Sequence, residues 1–189
     1  MVMRLPTLRL LAATALGIGA ALLQAGSATA QLVSRNPALF EQNANDLRAR
    51  SLATINRYRA QVGTPPLRWD ERLEASARLY GPRLAQLGTL VHSPRAERPG
   101  VGEALWMGPR GQYSLEAMID YWGEEQSMFR PGVFPNVSTT GNWEDVSHYT
   151  QMIWRDTTAV GCALARGGRS DYLICHFSPK GNRDGKRVP

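Results

Sequence analysis

The order of segments in this chain predicts an α/β sandwich built around an antiparallel sheet. Two observations carry that expectation. Apolar residues recur at helical spacing in three stretches, near residues 52–62, after Asp70 and after Ser114. Two short apolar runs flanking a Gly-rich turn signal then close the chain, as a hairpin would.

The chain of 189 residues opens with Arg4 and Arg9, an uncharged apolar run at residues 10–23, and the small-residue pattern Ala28-x-Ala30. That order predicts a signal peptide at residues 1–30, cleaved after Ala30. The alternative is a membrane anchor, but the uncharged run is shorter than the roughly 20 residues a spanning helix needs, and no second apolar span follows. A secreted or periplasmic protein without a transmembrane segment after cleavage is therefore expected. Its length suits one domain with one core. The formal charge of +6 includes two arginines of the signal, and the basic residues are dispersed among Asp and Glu without a block of five like charges. This describes a solvated surface and excludes a nucleic-acid footprint.

Residues 31–42 are mixed in composition and read as a poorly ordered lead-in. From about Asn43 the pattern turns helical, with Leu52, Ile55, Arg59 and Val62 in step until Gly63-Thr64-Pro65-Pro66 ends the run. Asp70 is an N-cap candidate. Leu73, Ala77, Tyr80, Leu84 and Leu87 then share one helical face, which Pro82 should kink. Residues 87–92 read as a loop entering a short strand, and Gly102-Glu103-Ala104-Leu105-Trp106 as a short extended element. Ser114 caps a third helix, residues 130–147 form a long loop, and residues 148–154 form a short helix.

There are two cysteines, Cys162 and Cys175. They sit in the apolar runs 160–165 and 172–177, with Arg166-Gly167-Gly168-Arg169-Ser170-Asp171 between them. A hairpin would bring them together, and an exported protein meets an oxidising compartment, so a disulfide is expected rather than two buried thiols. Closing so short a loop is worth about 3 kcal/mol.

The helix after Ser114 is the most informative stretch for chemistry. Met118, Tyr121, Trp122, Glu125 and Phe129 fall on one face at a 3.6 period, while Glu124 points elsewhere. A carboxylate directed at a core must be paired, hydrogen-bonded or protonated. The alternative is a boundary Glu whose head reaches solvent. Three histidines are present, His92, His148 and His176; a lone His is more often structural than a ligand. His148 starts a predicted helix, where the dipole disfavours the imidazolium and keeps a neutral ring available. No HExxH, G-x-S-x-G, P-loop or dinucleotide pattern is present, bridged cysteines leave no cysteine nucleophile, and the adjacent Ser147 and His148 rarely adopt triad geometry.

Ser147-His148-Tyr149-Thr150-Gln151-Met152-Ile153-Trp154 followed by Gly161-Cys162-Ala163 resembles the signature of the cysteine-rich secretory, antigen 5 and pathogenesis-related (CAP) superfamily. Cys175-His176-Phe177-Ser178-Pro179-Lys180-Gly181-Asn182 resembles its second signature. Asn56-Arg57-Tyr58-Arg59, Pro66-Leu67-Arg68-Trp69-Asp70, His92-Ser93 and Gly102-Glu103-Ala104-Leu105 match its upstream elements, in the family's order. The resemblance implies an α-β-α sandwich with a central antiparallel sheet over residues 51–182, preceded by a lead-in at 31–50 and followed by a tail at 183–189. It also implies a cavity lined by His92, Glu103, Glu125 and His148, with His92 and His148 able to hold zinc or a similar divalent ion, which suits nitrogen and oxygen ligands. Glu125 fits the family's Trp-x-x-Glu spacing from Trp122.

Departures are Ile55, Ala104, Ser147 and His176, where the family pattern has His, Asn, Gly and Asn, and the absence of the further cysteines of eukaryotic relatives, which looks bacterial. The expected function is a binding protein, taking a metal and a lipid or sterol-like small apolar ligand, or contacting an extracellular, envelope or host partner. The alternative is a metal-assisted hydrolase using zinc-bound water with Glu103 or Glu125 as base.

Overall fold

Alternation along three long strands sorts the core into two layers. The structure, a computed structural model, describes residues 37–189; the predicted signal peptide lies outside them. Strand β1 (Arg68–Trp69) pairs in parallel with β4 (Ala159–Arg166), which pairs antiparallel with β5 (Ser170–Ser178), which pairs antiparallel with β2 (Gly102–Pro109). Val160, Cys162, Leu173, Cys175, Phe177, Ala104 and Trp106 face one side. Leu105, Ala163, Tyr172 and Ile174 face the other. The period of two is what a sheet buried on both faces requires.

Helix α1 (Pro37–Gln61), α3 (Leu115–Gly123) and α4 (Ser147–Ile153) cover the first face, burying Ile55, Tyr58, Met118, Ile119, Trp122 and Met152 there. Helix α2 (Glu71–Leu87) covers the second with Ala77, Tyr80 and Leu84. The α-β-α sandwich and the antiparallel core of its sheet are as expected; the two-residue parallel strand β1 at the edge is an addition. From Gln42 to Pro189 the chain forms one compact unit, and among the described residues no helix is long and apolar enough to cross a membrane.

Local signals account for most boundaries. Asp70 caps α2, its Oδ1 accepting from the N–H groups of Arg72 and Leu73 at 2.8 and 3.2 Å. Gly88 ends it in the left-handed conformation, φ 69°. Ser114 caps α3 by accepting from the N–H of Ala117. The α2 helix continues through Pro82 and is drawn tightly onto β4. A Cβ on Gly161 would lie 2.2 Å from the backbone nitrogen of Glu74, and one on Gly81 2.8 Å from the Cβ of Ala165. Cys162 and Cys175 stand opposite each other in the hairpin register, with Cα atoms 4.1 Å apart, and are joined by a disulfide.

Four expectations need correction. Within the described residues helix α1 already runs over Pro37–Gln61, ahead of Asn43. Residues 88–92 form no strand: after the left-handed Gly88 the chain stays irregular, with Leu90 and Val91 exposed. Leu87 is exposed at the end of α2 rather than on its buried face. The helical stripe after Ser114 does not reach Phe129. Helix α3 stops at Gly123, where a Cβ would strike the ring of Tyr58 at 2.1 Å, and Glu124–Met128 continues as a 3₁₀ turn. Tyr121 is 63% exposed. The long loop at 130–147 contains β3 (Gly132–Val133), paired with β6 (Arg187–Val188) near the chain end, and a 3₁₀ turn at Trp143–Val146.

One buried charge ties the first face together. Arg59 on α1 is 1% exposed. Its guanidinium donates to the carbonyls of Pro65, Met152, Trp154 and Thr157 at 2.7–2.9 Å. Burial, with repulsion from Arg155, lowers its pKa to about 10, so it stays charged at neutral pH. Arg59→Leu should destabilise the protein by about 3–5 kcal/mol, since three buried carbonyls and one part-buried carbonyl lose their donor. Urea unfolding of both proteins checks this, and a loss under 1 kcal/mol would contradict it.

Candidate functional site

Two histidines and two glutamates come together as two His–Glu pairs. Glu103 is the second residue of β2, on the α2 side of the sheet by alternation with Leu105. Its side chain is fully buried. Oε1 accepts from the backbone N–H of Ser93 at 2.9 Å and lies 2.6 Å from Nδ1 of His92. Oε2 accepts from the Ser93 hydroxyl at 2.7 Å and lies 3.0 Å from Nε2 of His176. Arg98 stands 3.6 Å from Oε1 and is itself held by the Ser93 hydroxyl and the Val101 carbonyl. Burial pushes the Glu103 carboxyl up, but hydrogen bonds from His176, His92 and Ser93 outweigh it and hold the group well below the usual carboxylate range.

Glu125, on the 3₁₀ turn, reaches the start of α4. Its Oε2 accepts from the backbone N–H groups of His148 and Tyr149 at 2.9 and 3.0 Å. These are first-turn donors that the helix itself leaves unpaired. Its Oε1 lies 2.6 Å from Nδ1 of His148. Trp122 stacks on that imidazole, with ring centroids 5.8 Å apart and planes within 10°, while its own indole N–H is spent on the Leu105 carbonyl at 3.1 Å. Glu124 is exposed. Of the two neighbouring carboxylates, the one that turns inward is therefore the one expected, though it does so from a 3₁₀ turn and not from the middle of an α-helix.

His92, Glu103 and His148 line one cavity of about 590 Å³, whose wall also carries Arg95, Arg98, Glu144, Gln151 and Lys180. Glu125 stands behind His148 and is not part of the lining. In both pairs Nδ1 faces a carboxylate, so a neutral ring holds its proton there and keeps Nε2 as a bare acceptor. A carboxylate on one ring nitrogen fixes the tautomer and the orientation of an imidazole. Among the described residues no group of three or more His, Cys, Asp or Glu side chains is arranged to hold a metal ion; the chemistry on offer is two imidazole nitrogens.

Gln151 fixes the cavity floor. Its Oε1 accepts from the N–H of Gly181 at 2.8 Å, and a Cβ on Gly102 would fall 2.1 Å from that oxygen. Sequence reasoning singled out neither Gln151 nor the partnership of His176 with Glu103. The available signal for His176 was its place two residues beyond Ile174 on a buried strand, where an imidazole needs a partner.

Two measurements test the pairs. Glu125→Ala removes the acceptor of two part-buried N–H groups and an imidazole and should cost about 1–3 kcal/mol, whereas Glu124→Ala should stay within about 0.5 kcal/mol; equal effects would contradict the geometry. For Glu103 the folded pKa is depressed, so its stabilisation is present above the unfolded value of about 4.3 and is lost as pH falls through the folded one. The stability difference between wild type and Glu103→Gln should hold at neutral pH and narrow progressively below about pH 5, read from urea unfolding across that range.

Comparison with known proteins places these residues in a family. The family model described as "Cysteine-rich secretory protein family", CAP, matches residues 52–177. A pathogenesis-related protein of PR-1 type from Sambucus nigra is 34% identical over 133 residues, 70% of this chain and 75% of that protein. Pathogenesis-related protein 1C of Nicotiana tabacum is 32% identical over 132 residues, 69% of this chain and 74% of that protein. The crystal structure of Na-ASP-1 superposes with a TM-score of 0.63 at 26% identity, covering 75% of this chain and 40% of that one, so this chain spans two fifths of its length. With the family model matched over residues 52–177, two thirds of its length, the chain belongs to the cysteine-rich secretory protein (CAP) family.

Proposed function

We propose that this is an exported CAP-domain binding protein whose cavity takes a divalent metal such as zinc through Nε2 of His92 and Nε2 of His148. The observation that carries the reading is that each imidazole meets a carboxylate through Nδ1, at 2.6 Å in both cases, which leaves both Nε2 atoms as acceptors beside one cavity. Glu103 and Glu125 act behind the ligands, fixing ring orientation and raising basicity. Zinc accepts such nitrogen donors and completes its coordination with water when protein ligands are few. Bound there, the ion would supply positive charge and open coordination positions for a further ligand.

The cavity wall favours polar ligands over acyl chains or sterols. Apart from Val101 and Trp143 its side chains are largely charged or polar. The hydrolase alternative is disfavoured by the same hydrogen bonds: the two carboxylates that could serve as base already accept from three or more donors each. Export is supported by the disulfide, which persists in oxidising compartments, and by the signal-like residues 1–30.

Titration calorimetry with zinc on the purified protein tests the metal reading. Wild type should bind one ion, and His92→Ala and His148→Ala should each weaken binding by at least about tenfold. Unchanged affinity in both variants would sink the assignment.

A further inference from the structure

His176 is buried, 1% exposed, and lies directly opposite Glu103 in the β2–β5 register, with Gly161 as its neighbour on β4. Alternation places it on the α2 side of the sheet with Tyr172 and Ile174. The space over Gly161 is taken by the first turn of α2, where the backbone nitrogen of Glu74 would sit 2.2 Å from a Cβ. The imidazole is directed the other way, across the strand pair, and its Nε2 meets Oε2 of Glu103 at 3.0 Å. Its Nδ1 is buried and has no hydrogen-bond partner among the described residues, so no competing bond there draws the ring away from the carboxylate.

The two His–Glu pairs are held unequally. Glu125 is gripped by two backbone N–H groups of α4, and His148 is stacked on Trp122. Glu103 has one backbone donor, from Ser93 in an irregular segment, and otherwise depends on side chains. The His92 side chain is 57% exposed, and its bond to Glu103 is what orients it. The direction of Glu103 therefore sets the direction of His92.

We propose that His176 is a positioning residue for His92. By donating its Nε2–H to Oε2 of Glu103 it holds the carboxylate so that Oε1 receives the Nδ1–H of His92, and Nε2 of His92 faces the cavity as a bare acceptor. The consequence for zinc rests on the metal reading above; the tautomer of His92 does not.

The test uses ¹⁵N-edited NMR of the histidine rings in metal-free protein at about pH 8, where an imidazole of ordinary pKa is neutral. It is combined with zinc calorimetry on wild type, His176→Gln and His176→Leu. In wild type His176 should be protonated on Nε2 and His92 on Nδ1. In His176→Leu, His92 should become a tautomer mixture and zinc affinity should fall about tenfold, with the His148 signals unchanged. His176→Gln, which keeps an N–H donor at similar reach, should restore both. A wild-type His176 protonated on Nδ1 overturns the proposal, and so does a Leu variant that keeps the His92 tautomer. If the Leu variant fails to fold, the wild-type tautomers and the Gln variant decide, a His92 tautomer mixture in the Gln variant counting against the proposal. If wild type takes up no zinc, the metal reading fails and the tautomers alone decide this inference. If wild type binds zinc and the Leu variant binds it equally well, the proposal falls.

Discussion

A fully buried guanidinium needs acceptors for its donors, and Arg59 finds them in four backbone carbonyls rather than in a carboxylate. Two of them, from Met152 and Trp154, belong to the C-terminal end of α4, where a cation is favoured. The others come from the turn after α1 and from Thr157 just before β4. One side chain thus joins the first long helix, the helix that carries His148 and the entry to the central hairpin. A helix of seven residues has little stability alone. Held at its C-terminal end by Arg59 and at its N-terminal end by Glu125, it becomes a rigid mount for an imidazole.

The cavity sits where the edge strand β2 begins, and its two histidines approach on different supports. His148 is part of a helix and inherits the rigidity of that helix. His92 is in irregular chain and takes its orientation from Glu103, whose carboxylate is fully buried and carries hydrogen bonds from Ser93, His92 and His176. A buried carboxylate in such a setting is stabilised only as a complete network, because any donor removed leaves a charge without compensation. The close approach of Gly102 to Gln151 belongs to the same constraint: a side chain there would part the strand from α4.

Much of the fold was legible because its signals are local. Asp70 and Ser114 cap their helices, the hairpin around residues 166–171 places Cys162 opposite Cys175, and period-two alternation divides β4 and β5 between two layers. The short strand expected at the end of residues 87–92 failed because an apolar Leu-Val pair is too weak a signal when no neighbouring strand receives it. The α3 stripe failed past Gly123 because the chain tightens there from an α-helix into a 3₁₀ turn, a change that no periodicity encodes. Glu125 still turns inward, since unpaired N–H groups at the start of α4 attract a carboxylate whichever helical geometry delivers it.

By itself the sequence determined the order of elements, the caps and the disulfide partners, and its resemblance to the CAP family singled out two histidines and two glutamates as candidates. Those follow from spacing along the chain and from short motifs. Only the tertiary structure decided how the four pair, that Glu125 stands behind His148 rather than on the cavity wall, and that His176 joins Glu103 from below. Glu103 and His176 are 73 residues apart, and they meet because β2 and β5 pair in one register, a long-range choice made by burial of both sheet faces together.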